Sequence, residues 1–165
     1  MKNVILKTKK LEQIIYNQGY ICINSHYLIK ADLIQLDDTL LQDKINKNEP
    51  FYFNKFNNNF GTPPDVLAII PKDFSEFIEL ENTGLKTNIH KTTADVFYNP
   101  ETKLFVYFNS EYLKLFTDTG ATLKLIQSKN RYNPAIVLDD NYECKFFIMS
   151  MANKNAYLEK FENVL

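Results

Sequence analysis

Three observations predict an α+β fold of antiparallel sheets backed by helices. Short segments such as Tyr20–Lys30 alternate apolar and polar residues and are bounded by turn residues, the mark of half-buried strands. Other segments carry apolar residues at helical spacing behind a capping side chain and stop at a glycine. The order strand, helix, then about three strands occurs at Val66–Tyr98 and again at Lys103–Met151, with a vaguer copy in Asn3–Leu36. Helices gathered on one face of antiparallel strands define this class. The 165 residues are 45% hydrophobic and 24% charged, so the chain reads as one domain, 1–165, with sub-units 1–60, 66–151 and a helical tail, 152–165. A chain of this length buries about 70% of its unfolded surface and needs no disulfide or metal staple.

Leu11, Ile14 and Ile15 share one helical face, so Lys9–Asn17 is predicted helical, capped by Thr8 and stopped by Gly19. Tyr20–Lys30 is extended, with a bend at Asn24-Ser25. Asp37 or Asp38 caps a helix holding Leu40, Leu41 and Ile45. Pro50–Phe56 is a strand, and the Asn- and Pro-rich run at 57–64 is a loop and the best domain boundary. Val66–Ile70 is a buried strand, and Pro71 then suits the first turn of a helix through Phe74, Phe77 and Ile78, ending near Gly84. Strands follow within Lys86–Lys91, Ala94–Tyr98 and Lys103–Phe108. A helix opens at Asn109 or Ser110, turns Tyr112, Leu113 and Phe116 inward and stops at Gly120. Ala121–Gln127, Ala135–Asp139 and Cys144–Ser150 are strands, and Asn153–Val164 is a C-terminal helix.

Net charge is −1, and Arg131 is the only arginine among 19 basic residues. Arginine supplies the bidentate fork that reads guanine edges, so sequence-specific DNA reading is disfavoured. Loose contact with phosphate through a lysine stripe stays open. The acidic excess of a DNA mimic is missing. Cys22 and Cys144 lie in strand-like segments without C-x-x-C spacing, which excludes zinc and thioredoxin-type sites and leaves two buried thiols or a disulfide. The apolar start Val4-Ile-Leu6 is too short for a signal peptide, and no run approaches the roughly eighteen apolar residues of a membrane span. A cytoplasmic protein with no membrane contact is expected, and the abundance of Lys, Asn, Ile, Tyr and Phe fits an AT-rich genome.

The segment Phe108-Asn-Ser-Glu-Tyr-Leu-Lys-Leu-Phe116, with Ala135-Ile-Val-Leu-Asp139 and Phe147-Ile-Met-Ser-Met151, resembles the last domain of bacterial DNA sliding clamps. That domain also runs from a strand into Phe-Asn-x-x-Tyr-Leu and ends in a strand with Met-Pro-Met. Val66-Leu-Ala-Ile-Ile-Pro-Lys72 is similar to a strand–helix junction of clamp middle domains, and Asn24-Ser-His26-Tyr-Leu28 to their Asp-Gly-His-Arg-Leu turn. The specific part covers about a quarter of the chain, mainly within 103–151. Ser150 stands where the family has proline, and the chain has half a three-domain clamp's length. The resemblance implies strand–helix–three-strand repeats and positive helices that touch phosphate without reading sequence. Lys7, Lys9 and Lys10 suit that role, or are simply a solvated helix end; the Phe74–Leu80 helix, acidic through Asp73, Glu76 and Glu79, does not.

Few residues suggest catalysis. His90-Lys-Thr92 matches one His-x-Thr element of two-histidine phosphoesterases, but His26-Tyr-Leu28 lacks the second hydroxyl. Thiols in apolar strands keep a high pKa, which argues against Cys22 or Cys144 as a nucleophile. Asp37-Asp38 and Asp139-Asp140 with Glu143 could hold magnesium, or act as a helix cap and a solvated turn. The isolated glycines Gly19, Gly61, Gly84 and Gly120 exclude nucleotide loops. No cofactor or metal is expected.

Phe51-Tyr-Phe-Asn-Lys-Phe56 with Phe60 is the densest aromatic stretch, and beside Lys55 it suits stacking on single-stranded bases or simple burial of Phe51 and Phe53. Phe56 and Phe60 have little around them to bury them, which points to a partner site. Lys129, Arg131 and Tyr132 form a second candidate, since arginine and tyrosine dominate binding hot spots. The expectation is a binding protein without catalytic activity, from a phage or mobile element, that engages DNA or replication proteins through a clamp-like fold. The alternative is a phage inhibitor of a host defence nuclease, of anti-CRISPR type, that binds a protein or ribonucleoprotein directly.

Overall fold

A computed structural model describes residues 4–56, 59–65, 68, 73–120, 124–131, 133–138 and 144–151, with only the backbone described at 59, 60, 144 and 145. The fold is mixed α+β, its strands mostly antiparallel. The predicted strand at Val66–Ile70, apart from Ala68, the predicted terminal helix Asn153–Val164, and Pro71, Tyr132, Asp139, Asp140 and Glu143 lie outside the described residues.

The chain begins with β1 (Val4–Leu6), a 3-10 turn over Thr8–Lys10, then β2 (Gln13–Asn17), β3 (Tyr20–Ile23) and β4 (Tyr27–Lys30). The helix expected over Lys9–Asn17 is therefore a turn followed by a strand. Ile14 packs into one core and Ile15 into another, on opposite faces of the sheet. A strand buried on both faces shows no alternation, and its apolar run imitates helical spacing. Gly19 does not stop a helix. With Gln18 it forms a two-residue hairpin turn in which both residues have positive φ, 53° and 85°. The bend at Asn24-Ser25 is present, and both residues again have positive φ.

After β5 (Ile34–Leu36) comes helix α1 (Thr39–Asn46), whose first turn is capped by Asp38, accepting from Leu41 N at 3.0 Å. β6 (Phe51–Asn54) then pairs with β7 (Asn59–Gly61), so the middle of the expected 57–64 loop is a strand. The helix expected through Phe74, Phe77 and Ile78 is also replaced. Described residues 73–77 form a turn, and β8 (Ile78–Glu79) and β9 (Glu81–Ile89) are strands. Phe74 and Phe77 meet edge to face at 5.6 Å and pack on the large sheet.

β10 (Thr92–Asn99) and β11 (Leu104–Asn109) follow, then helix α2 (Ser110–Asp118), capped by Asn109 accepting from Glu111 N at 2.9 Å. β12 (Lys124–Gln127), β13 (Ala135–Leu138) and β14 (Cys144–Ile148) close the described chain. The order strand, helix, three strands thus runs from β11 to β14, while the upstream segment reaches β8 through a turn at 73–77.

The strands build a nine-stranded sheet in the order β7-β6-β2-β3-β4-β14-β13-β12-β8, a three-stranded sheet β11-β10-β9 and a parallel pair β1-β5. Because β4 pairs with β14, one sheet spans both halves of the sequence. Side chains alternate across it. Ile14, Ile21, Ile29, Val137 and Phe146 enter the main core with Leu41 of α1, Phe116 of α2 and Phe97 and Phe108 of the smaller sheet. Leu28, Ile136 and Phe147 face the other way, under Phe74 and Phe77. Phe116 stacks on Phe146 with ring centres 4.0 Å apart. Met151 N donates to Tyr107 O at 2.7 Å, which ties the chain after β14 to β11.

Candidate binding surface

The pairing of β2 with β6 places the end of one beside the start of the other, with Gln13 opposite Asn54. Lys55 N extends the ladder by donating to Glu12 O at 2.9 Å, and the Lys55 ammonium donates to Lys9 O at 2.7 Å. Residues 46 apart in sequence thereby share one end of the sheet. Asn54 Oδ1 accepts from Phe56 N at 2.9 Å, a short side-chain turn, and Phe56 is left 76% exposed. Lys7, Lys9, Lys10 and Lys55 are exposed. Among the described residues no carboxylate lies within 4.0 Å of their ammonium groups.

Two polar side chains hold this end in shape. Thr8 donates to Asp37 Oδ1 through both its backbone N and its hydroxyl, each at 2.8 Å. Those bonds, with Lys9 nearby, hold the exposed Asp37 carboxyl below the usual aspartate range. Asn24 Oδ1 accepts from Glu12 N at 2.8 Å and Gln13 N at 3.0 Å, joining the β3–β4 turn to the start of β2. Asp37 and Asp38 thus anchor a turn and cap a helix, and among the described residues no three His, Cys, Asp or Glu side chains gather as metal ligands would.

The second predicted cluster lies elsewhere. Lys129 pairs with Glu101 at 3.3 Å, and both side chains are exposed. Arg131 is half-buried, and its main-chain carbonyl accepts from Gln127 Nε2 at 3.2 Å and Ser150 Oγ at 2.7 Å. Six strand steps separate β6 from β12, on the order of 29 Å at ~4.8 Å per step. Phe56 and Arg131 therefore do not form one surface. Phe60 has only its backbone described, opposite Phe53.

His90 sits exposed at the tip of the β9–β10 hairpin, in a positive-φ turn with Lys91, and Thr92 begins the next strand. His26 pairs instead with Tyr112, Nδ1 to Oη at 2.7 Å. Cys22 is a free thiol, half-buried rather than buried, and burial raises its pKa. Its neighbourhood with His26 encloses about 30 Å³, room for a water and little more. Nothing is described of the Cys144 side chain.

One feature had no sequence signal. A cleft of about 740 Å³ opens where the β2–β3 turn, the segment Lys30–Asp32 and α1 meet, lined by Gln18, Gln35, Gln42 and Asn46 among others. These residues come from three separate stretches of chain, and no motif links them. No helix among the described residues is long and apolar enough to cross a membrane. No known protein family, curated protein or solved structure matches the chain.

Proposed function

We propose that this chain is a non-enzymatic binding protein that holds a phosphate-bearing strand, single-stranded DNA or RNA, against the β2–β6 end of its large sheet. The observation that carries this reading is the meeting of Lys55 with the Lys9 backbone beside an exposed Phe56. Lysines without carboxylate partners attract phosphate and release counterions, and a free phenylalanine ring stacks on any base. One arginine in the whole chain fits contact with backbone and ring faces better than with base edges. The clamp resemblance of 103–151 belongs with the same class of sequence-blind contact.

The test is fluorescence anisotropy with a labelled oligothymidylate over a salt series. With the two lysines of this surface, Lys9 and Lys55, engaged, the logarithmic salt slope is about −1.4, or roughly a 7-fold loss of affinity from 50 to 200 mM. Phe56→Ala weakens binding roughly tenfold without moving the melting temperature, since one stacked base contributes about 1–3 kcal/mol. Lys9→Glu with Lys55→Glu flattens the slope. A flat slope in the unaltered protein refutes the proposal. The second reading, direct blocking of a defence nuclease, rests on the exposed Phe56 as a protein anchor. It predicts tight binding to one protein or ribonucleoprotein and indifference to oligothymidylate.

A further inference from the structure

We infer that a second, separate site exists along β1: a groove that takes an extended, acidic peptide segment of a partner protein as an added strand. β1 is hydrogen-bonded to β5 in parallel register, Val4 opposite Ile34 and Leu6 opposite Leu36, and among the described residues it has no other strand neighbour. A groove of about 510 Å³ touches all three residues of β1 and none of β5, which places it on the strand's unpaired side, with α2 as its far wall. Strand edges with free N–H and C=O groups recruit extended peptides, and native proteins usually cover or charge them to prevent it. Here the edge is short, and Ile5, at its middle, is 65% exposed.

The dimensions fit one strand. A residue of extended chain occupies about 160 Å³, from a ~3.3 Å rise, ~4.8 Å strand spacing and ~10 Å sheet spacing. The groove therefore holds about three residues, which is the length of β1. Its floor includes Tyr27 and Leu115, both buried in the main core, so alternate side chains of the guest meet apolar surface.

Charge selects the guest. Lys7 and Lys10 line the β1 side, and neither has a carboxylate within 4.0 Å among the described residues. On the far wall Lys114 is neutralised by Asp118 at 2.9 Å, and Glu111 is the remaining carboxylate. Three lysines against two carboxylates leave an excess of positive charge, on the wall that also offers the backbone edge. A nucleic acid matches the lysines but has no amide ladder to offer β1, so a peptide satisfies both features. Neither Lys9 nor Lys55, which meet each other, lines this groove. The three lysines of one sequence cluster, Lys7, Lys9 and Lys10, thus divide between two sites.

The test is a titration of the ¹⁵N-labelled full chain, followed by amide shifts, with a hexapeptide of alternating glutamate and valine. A hexapeptide of alternating lysine and valine is the control. The acidic peptide is expected to shift Val4–Lys7 together with Tyr112–Leu115, and the basic peptide to leave them in place. Lys7→Glu with Lys10→Glu weakens binding at least tenfold, as does Ile5→Glu at its exposed position, with unchanged melting curves. Lys9→Glu with Lys55→Glu leaves the affinity within twofold, so the inference stands even where the nucleic-acid reading fails. It is overturned by unshifted Val4–Lys7 amides at millimolar peptide, by equal response to the basic peptide, or by displacement of the bound peptide with oligothymidylate.

Discussion

The two flanks of the nine-stranded sheet are built alike and finished differently. Each is pinned by one amide side chain. Asn24 accepts from the backbone of Glu12 and Gln13 at the β2–β6 end, and Gln127 donates to the carbonyls of Arg131 and Asn133 at the β12–β13 end. At the first, the anchored backbone carries lysines without carboxylate partners and an exposed phenylalanine. At the second, Lys129 is paired with Glu101 and Arg131 is half-buried. Basic and aromatic residues occur at both, so composition does not distinguish them. What differs is whether the fold has already drawn the lysines into ion pairs.

The largest effect should come from removing what both flanks share. Phe116 lies fully buried against Phe146, with an edge contact to Tyr27 at 5.9 Å. Phe116→Ala is expected to destabilise by about 3–5 kcal/mol through lost burial and a residual cavity. Urea unfolding would read this as an earlier midpoint at unchanged slope. If only one flank lost protection in hydrogen exchange, the sheet would not be a single cooperative unit.

The pinning amides separate the flanks at smaller cost. Gln127→Ala removes a fully buried side chain and its bonds to the Arg131 and Asn133 carbonyls, and is expected to destabilise by about 1–3 kcal/mol. Asn24→Ala removes the acceptor for two backbone amides at a positive-φ position, for about 1–2 kcal/mol. Each should raise exchange only on its own flank. Nucleic-acid affinity should fall for Asn24→Ala and stay level for Gln127→Ala; the opposite result would move the binding surface to the β12–β13 end.

Charge changes rank last. The lowered pKa of Asp37 means that its bonds to Thr8 contribute at neutral pH and above the ordinary aspartate range near ~3.9. They are lost as pH falls through the depressed folded value. The Thr8 amide shift should therefore titrate below that range, and Asp37→Asn should abolish the step. Lys129→Ala removes an exposed pair with Glu101 and should change stability by less than about 0.5 kcal/mol, with no effect on oligonucleotide affinity.

Local chemistry made part of this fold legible. Asp38 and Asn109 cap helices α1 and α2 as their side chains demand, because a cap is a contact between residues two or three apart. The hairpin at Asn24-Ser25 and strands β10 and β11 were readable for the same reason, whereas the first half of β9 falls in the helix expected to end near Gly84. Residues 13–17 were not, since Leu11, Ile14 and Ile15 fit a helix face as well as a strand buried on both sides. The Phe74, Phe77, Ile78 spacing misled in the same way, where the two rings cap the second face of the sheet from a turn.

The candidate site divides along the same line. Lysine, phenylalanine and their exposure in an asparagine-rich stretch could be read from the sequence itself. That Lys55 reaches Lys9, that Lys7 and Lys10 turn to a different groove, and that Arg131 sits six strands away could not. Side-chain chemistry and neighbour-to-neighbour geometry are properties of the sequence. Which charges remain unsatisfied is a property of strand order, and strand order is set by burying both faces of one sheet at once.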